Sequence, residues 1–133
     1  KLICDTVAAT ISKDGTVLGS CGFDSIPAAV MNLTGENGAA VVFDRFTEER
    51  ATDIVFLDEK LMEAKKVSVS GKYICSDRNE SNTAVYCSGT AFVFNNLGEN
   101  TASLASEQDA VMIKLLKENL FAVTRDQLCK IEK

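Results

Sequence analysis

The sequence predicts a single α+β domain, ordered as strand, helix, three or four antiparallel strands and two closing helices. Three observations predict it. Apolar and polar residues alternate over Val67–Cys75, and Thr83–Asn95 reads as a second long strand between turn signals. Asp24 and Ser25, both good helix N-caps, stand just before Pro27, whose missing N–H costs little in a first helical turn. Ser106-Glu107-Gln108-Asp109 and Thr124-Arg125-Asp126-Gln127 both have the spacing of a capping box. With 133 residues, of which 46% are hydrophobic and 25% charged, the chain can bury one core as one domain.

Taken in order, Leu2 to Ser12 reads as a strand, Lys13-Asp14-Gly15 as a turn, and Thr16 to Cys21 as a shorter returning strand. Beyond Pro27, two readings stay open. Ile26, Ala29, Val30, Leu33, Ala40 and Val41 fall near one helical face, which allows one helix to about Glu48. Gly35 and Gly38 each cost a helix interior about 1 kcal/mol relative to Ala, which favours a short helix ending at Gly35 and a strand over Ala39 to Phe46. After Arg50 the period becomes two, with strands over Thr52–Leu57 and Val67–Cys75 joined by the polar connector of residues 58–65. Thr83 to Asn95 is a long strand onto which Thr101 to Ala105 folds back as a hairpin. Met112, Ile113, Leu116 and Leu120 line one side of the first closing helix, and Leu128 and Ile131 line the second. No internal repeat or linker is legible.

Composition narrows the function. Nineteen acidic against fourteen basic residues give a net charge of −5, which disfavours nucleic-acid and anionic-membrane partners. The chain has no histidine, so Ser-His-Asp, Cys-His and His-ligated metal chemistry are excluded. The five cysteines are odd in number, widely spaced and without a CxxC, which indicates neither a disulfide framework nor a zinc site. The opening residues do not read as a signal peptide, and no apolar run is long enough to span a bilayer. The expectation is a soluble protein of a reducing compartment, cytoplasmic or mitochondrial.

Several strings resemble the hotdog-fold acyl-CoA thioesterases, in particular their small single-domain group. Lys1-Leu2-Ile3-Cys4-Asp5 is similar to that group's first strand, and Ala28 through Gly35 to the central helix around which its sheet curls. Ile54-Val55-Phe56-Leu57 and Val67 through Lys72 resemble the strands that follow, and Thr83 to Asn96 with Gly98 to Ser103 the last hairpin. The resemblance covers residues 1–105, and residues 106–133 are a helical extension of the same domain. The family's His-Gly-Gly at the helix start is replaced here by Gly22-Phe23-Asp24-Ser25, and its helix carboxylate falls near Asn32.

The resemblance implies hydrolysis or binding of acyl-CoA thioesters by a dimer or tetramer, without a cofactor. Backbone N–H groups of Phe23, Asp24 or Ser25, beside Gly22, would polarise the thioester carbonyl at the helix N-terminus. Asn32 would orient water or bind a carbonyl, with the satisfaction of a buried neighbour as the alternative, and Glu36 is the nearest acid one turn on. Asp24 has a capping role as an alternative, since its charge opposes an oxyanion. Glu36 is a loop residue if the helix stops at Gly35. Thr52 is placed for a hydroxyl contact to substrate, with strand propensity as the plainer account of it. Cys21 lacks a nearby cation in sequence to lower its pKa. Against the thioesterase stand a non-enzymatic scaffold of roadblock or longin type and a self-assembling coat-like protein.

Overall fold

Strand structure, expected for part of the chain, accounts for most of the described residues. The computed structural model describes residues 6–11, 13–32, 38–106 and 109–131, and among these there is no helix. The strands are β1 (Thr6–Ile11), β2 (Val17–Phe23), β3 (Ala29–Asn32), β4 (Ala39–Arg45), β5 (Ala51–Leu57), β6 (Glu63–Ser70) and β7 (Tyr73–Arg78). They continue as β8 (Asn82–Cys87), β9 (Thr90–Asn95), β10 (Asn100–Ala105), β11 (Met112–Leu116), β12 (Asn119–Val123) and β13 (Leu128–Ile131).

The α+β expectation is therefore corrected, and with it the hotdog fold, its central helix and the C-terminal helix pair. The stretch read as the start of the central helix contains β3, whose four residues pair antiparallel with β4 from Ala29↔Val42 to Asn32↔Ala39. Of the two readings of residues 35–46, the strand is the one found over Ala39–Arg45. Gly38, just ahead of it, has φ +59°, and a Cβ there would fall 1.9 Å from the Leu57 carbonyl oxygen. Only glycine lets the chain enter the sheet so close to β5. The expected helix at Met112–Leu120 is instead a β11–β12 hairpin closed by Lys117 and Glu118, with Lys117 at φ 59°. A helical stripe would bury Leu116, yet Leu116 is 54% exposed, while Ile113 and Leu115, two apart, are buried. Thr124 and Gln127 close the next hairpin, where the Thr124 N–H donates to the Gln127 carbonyl at 2.9 Å.

Two expected long strands break into pairs. Val67–Cys75 is cut at Gly71 (φ +110°), which separates β6 from β7. Thr83–Asn95 folds at Ser88 and Gly89, both at positive φ (41° and 92°), the backbone that lets a two-residue loop follow strand twist.

Among the described residues, every hydrogen-bonded strand pair joins neighbours in sequence. The result is a β1–β2 ribbon, the four-stranded meanders β3–β6 and β7–β10, and the three-stranded meander β11–β13. Their first strands begin at Ala29, Tyr73 and Met112, so the unit recurs about every 40 residues, a structural repeat that the sequence does not display.

The sheets stack in chain order because alternate residues of each strand face opposite sides. On β5, Val55 and Leu57 pack with Val41 of β4 and Phe23 of β2, whereas Ile54 and Phe56 pack with Val85 and Phe94 of the next sheet. On β8, Ala84 and Tyr86 face on towards Ile113, Leu120 and Ala122. The first strands β3, β7 and β11 lie beside one another along one side of this stack. Consecutive residues of β7 bind them on either hand. The Arg78 guanidinium donates to the Met31 and Gly38 carbonyls at 3.3 Å each. Asp77 accepts the Leu115 N–H at 2.8 Å and lies 3.6 Å from Lys114 Nζ. No described helix is long and apolar enough to cross a membrane.

Candidate functional site

Between β2 and the β3–β6 sheet lies a cleft of about 370 Å³. Its floor is apolar, made by Phe43, Val55, Leu57 and Leu61, and Phe23 meets Phe43 edge-on with centroids 5.5 Å apart. That geometry suits ring quadrupoles and holds the ribbon onto the sheet. Leu61 holds its place in a tight turn in which the Asp58 carboxylate accepts the Lys60 and Met62 N–H groups at 2.8 and 2.9 Å. The rim is polar, with Ser20, Asp24, Ser25, Arg45, Glu63 and Lys66.

Two of the rim residues, Arg45 and Lys66, reach a carboxylate that does not itself line the cleft, Asp53, only 5% exposed on β5. Its partners come from the two strands on either side, β4 and β6. Register sets Asp53 opposite both Phe43 of β4 and Ser68 of β6, with Arg45 and Lys66 two residues further along. Arg45 Nε donates to Oδ2 at 2.5 Å, Ser68 Oγ donates to Oδ1 at 2.5 Å, and Lys66 Nζ lies 3.8 Å away. Burial alone would push this carboxyl upward. The Ser68 and Arg45 hydrogen bonds and the Arg45 and Lys66 charges outweigh it, so Asp53 titrates below the ordinary carboxylate value. On the opposite face of the sheet, where Asp44 stands across from Thr52, Arg50 holds both Asp44 oxygens at 2.9 Å and lies over the Phe46 ring.

The arrangement favours recognition over catalysis. Cys21, on the cleft wall, has its thiol pushed up by burial and by the Glu63 charge, so it is neutral near pH 7 and a poor nucleophile. Asp53 is ionised, but its oxygens are taken up by Arg45 and Ser68, so it is not poised as a base.

The structure brings some of the residues singled out in the sequence together and separates others. Gly22 and Phe23 of β2, with Asp24 and Ser25 in the following turn, all line this cleft. Asn32 is exposed at the end of β3. Glu36 lies outside the described residues. Thr52 is fully buried between the two four-stranded sheets, where its hydroxyl donates to the Gly71 carbonyl at 3.0 Å and accepts from Cys87 Sγ at 3.3 Å. Asp53, Arg45 and Ser68 escaped the sequence reading. The one available signal was an acid inside the apolar strand of residues 51–57.

No protein-family model matches the chain, and no curated protein matches its sequence.

Proposed function

We propose that the chain is a non-enzymatic binding scaffold, built as a run of β-propeller-type blades. One observation carries this reading: successive antiparallel meanders, about 40 residues apart, stack face to face with their first strands side by side. Propellers set four-stranded sheets around an axis in this way, and each blade buries its faces on its neighbours. Such an array is a stiff platform whose hairpin loops and inter-sheet clefts are open to partners. The chemistry in and beside the cleft supports the same reading, since its thiol is pushed up towards the protonated form and the buried acid next to it is engaged by cations. The acyl-thioester reading loses its support, because it needs a helix N-terminus to polarise the carbonyl and the described residues hold no helix.

The test has two arms. Far-UV circular dichroism should give a strand spectrum without the double minimum of helix. A panel of acyl-CoA thioesters, from short to long chain, should release no free thiol above the buffer rate. Turnover that Cys21→Ala or Asp53→Asn abolishes, with the fold intact, would overturn the scaffold reading.

A further inference from the structure

The cleft between β2 and the β3–β6 sheet carries both signs of charge on its rim, and strand register sorts them along its length. Arg45 and Lys66 converge on one oxygen of Asp53, at 2.5 and 3.8 Å. Two cations thus meet one carboxylate, so this cluster carries one positive charge in excess. Arg45 gives Asp53 only its Nε, and its two terminal nitrogens, the other edge of the guanidinium fork, make no hydrogen bond among the described residues. Glu63 lies opposite Leu57, four residues along β5 from Asp53, and forms no ion pair among the described residues. Between these ends runs the apolar floor of Phe43, Val55, Leu57 and Leu61. Leu61 is buried at φ 61°, a backbone that disfavours any residue with a Cβ, so the chain bears strain here to add one more apolar side chain to the floor. Its neighbour Met62, 64% exposed at the mouth, is unbranched and adapts to what lies against it.

We propose that the cleft binds a short apolar peptide with both termini free, its carboxylate held by Arg45 and Lys66 and its ammonium by Glu63. Each part of the ligand answers a part of the cleft. The terminal nitrogens of Arg45 receive a carboxylate in the bidentate manner a guanidinium favours, and Lys66 adds a second charge-assisted bond. Asp53 is the positioning residue, because it fixes Arg45 through Nε and leaves the outer edge of the fork to the ligand. Four strand residues, the separation of Asp53 and Leu57, span about 13 Å. An extended peptide of about two or three residues covers roughly 7–11 Å, and a charge-assisted bond of about 2.8 Å at each end makes up the rest. The cleft volume of about 370 Å³ lies in the small-molecule range of roughly 300–1,000 Å³. A phosphate ester fits poorly, since one positive charge is in excess and two acids, Asp24 and Glu63, share the rim. The C-terminus of a longer chain fits poorly too, because it brings no ammonium to Glu63. This assignment rests on the scaffold reading and names the ligand of its cleft.

The probes are dileucine and trileucine, titrated into the full chain by isothermal calorimetry. Binding should saturate at one peptide per chain. The N-acetyl form, the C-terminal amide and diglycine should each bind at least tenfold more weakly, since they lack the ammonium, the carboxylate and the apolar body in turn. Glu63→Gln should bind the free peptide about tenfold more weakly yet the N-acetyl form as wild type does. Lys66→Met should show the same pattern with the amide. Both side chains are exposed, and an unchanged thermal midpoint confirms folding. Absence of binding by both peptides, or affinity that ignores the apolar body, would overturn the ligand. An N-acetyl peptide that binds as well as the free one would assign the cleft to the C-terminus of a longer chain and overturn the requirement for an ammonium. A loss seen with Asp24→Asn and not with Glu63→Gln would overturn the part given to Glu63. Peptide recovered in fragments would overturn the scaffold reading as well. A chain that neither binds the peptides nor hydrolyses thioesters loses this ligand alone and keeps the scaffold reading.

Discussion

Asp53→Asn tests the ion cluster with almost no change in shape. The carboxylate sits 5% exposed, with Arg45 at 2.5 Å, Ser68 at 2.5 Å and Lys66 at 3.8 Å. Asparagine keeps one acceptor but turns an NH₂ towards cationic donors, leaving a hydrogen bond unmade and two charges unbalanced. Breaking a fully buried pair costs about 3–5 kcal/mol. Here the cations are half-exposed, Arg45 at 51% and Lys66 at 46%, and can turn to water. Solvent screening reduces the expected loss to about 1–3 kcal/mol. Because the folded Asp53 titrates below its ordinary value, its contribution is complete above the unfolded carboxylate pKa and is lost as the pH falls through the folded one. Urea unfolding of wild type and variant, followed by circular dichroism from pH 7 down to the acid limb, measures both effects. The variant should be less stable at pH 7, and the gap should close on acidification. A gap under about 0.5 kcal/mol at neutral pH, or one that does not change with pH, would refute the reasoning.

Other substitutions probe the stack. Thr52→Val leaves the Gly71 carbonyl without its hydroxyl donor and the Cys87 thiol without its acceptor, and should cost about 1–3 kcal/mol by urea denaturation. Gly38→Ala forces a Cβ into the Leu57 carbonyl at positive φ, and should lower stability by about 3 kcal/mol or more, read as a fall in thermal midpoint. Burial pushes the Cys75 thiol up to about 11 and the Cys87 thiol upward as well. Mass spectrometry after iodoacetamide at pH 7.5 should find both unmodified in the native chain and modified in urea.

What the sequence makes legible is local. The strand over residues 52–57 stands out because a β-rich apolar run is bounded by polar residues at both ends. The hairpin at Ser88-Gly89 carries a turn signal, but the apolar residues on both sides mask it as one long strand. Lys117-Glu118 carries no glycine or proline, so Met112 to Leu120 passes for a helical stripe. Capping-box spacing at Thr124 equally serves a hairpin, where the same threonine and glutamine close the turn. The ion cluster is harder still to read. Arg45, Asp53, Lys66 and Ser68 sit on three strands, and only the register of two hairpins brings them together. The cleft residues Gly22 to Ser25 drew attention as a departure from a family motif, whereas their place beside Phe43 and Leu61 depends on how one sheet lies on another.

Because each described strand pairs only with its neighbour in sequence, the molecule can be assembled in the order in which it is synthesised. Each meander closes through short loops, at little entropic cost, before the next has emerged. Docking then adds one sheet at a time onto a finished face, so a newborn chain keeps an apolar surface uncovered for only about one repeat of synthesis. Fraying runs the other way. The two-stranded ribbon and the three-stranded sheet loosen first, and β5 and β8, covered on both faces, are the last to give up their amide protons.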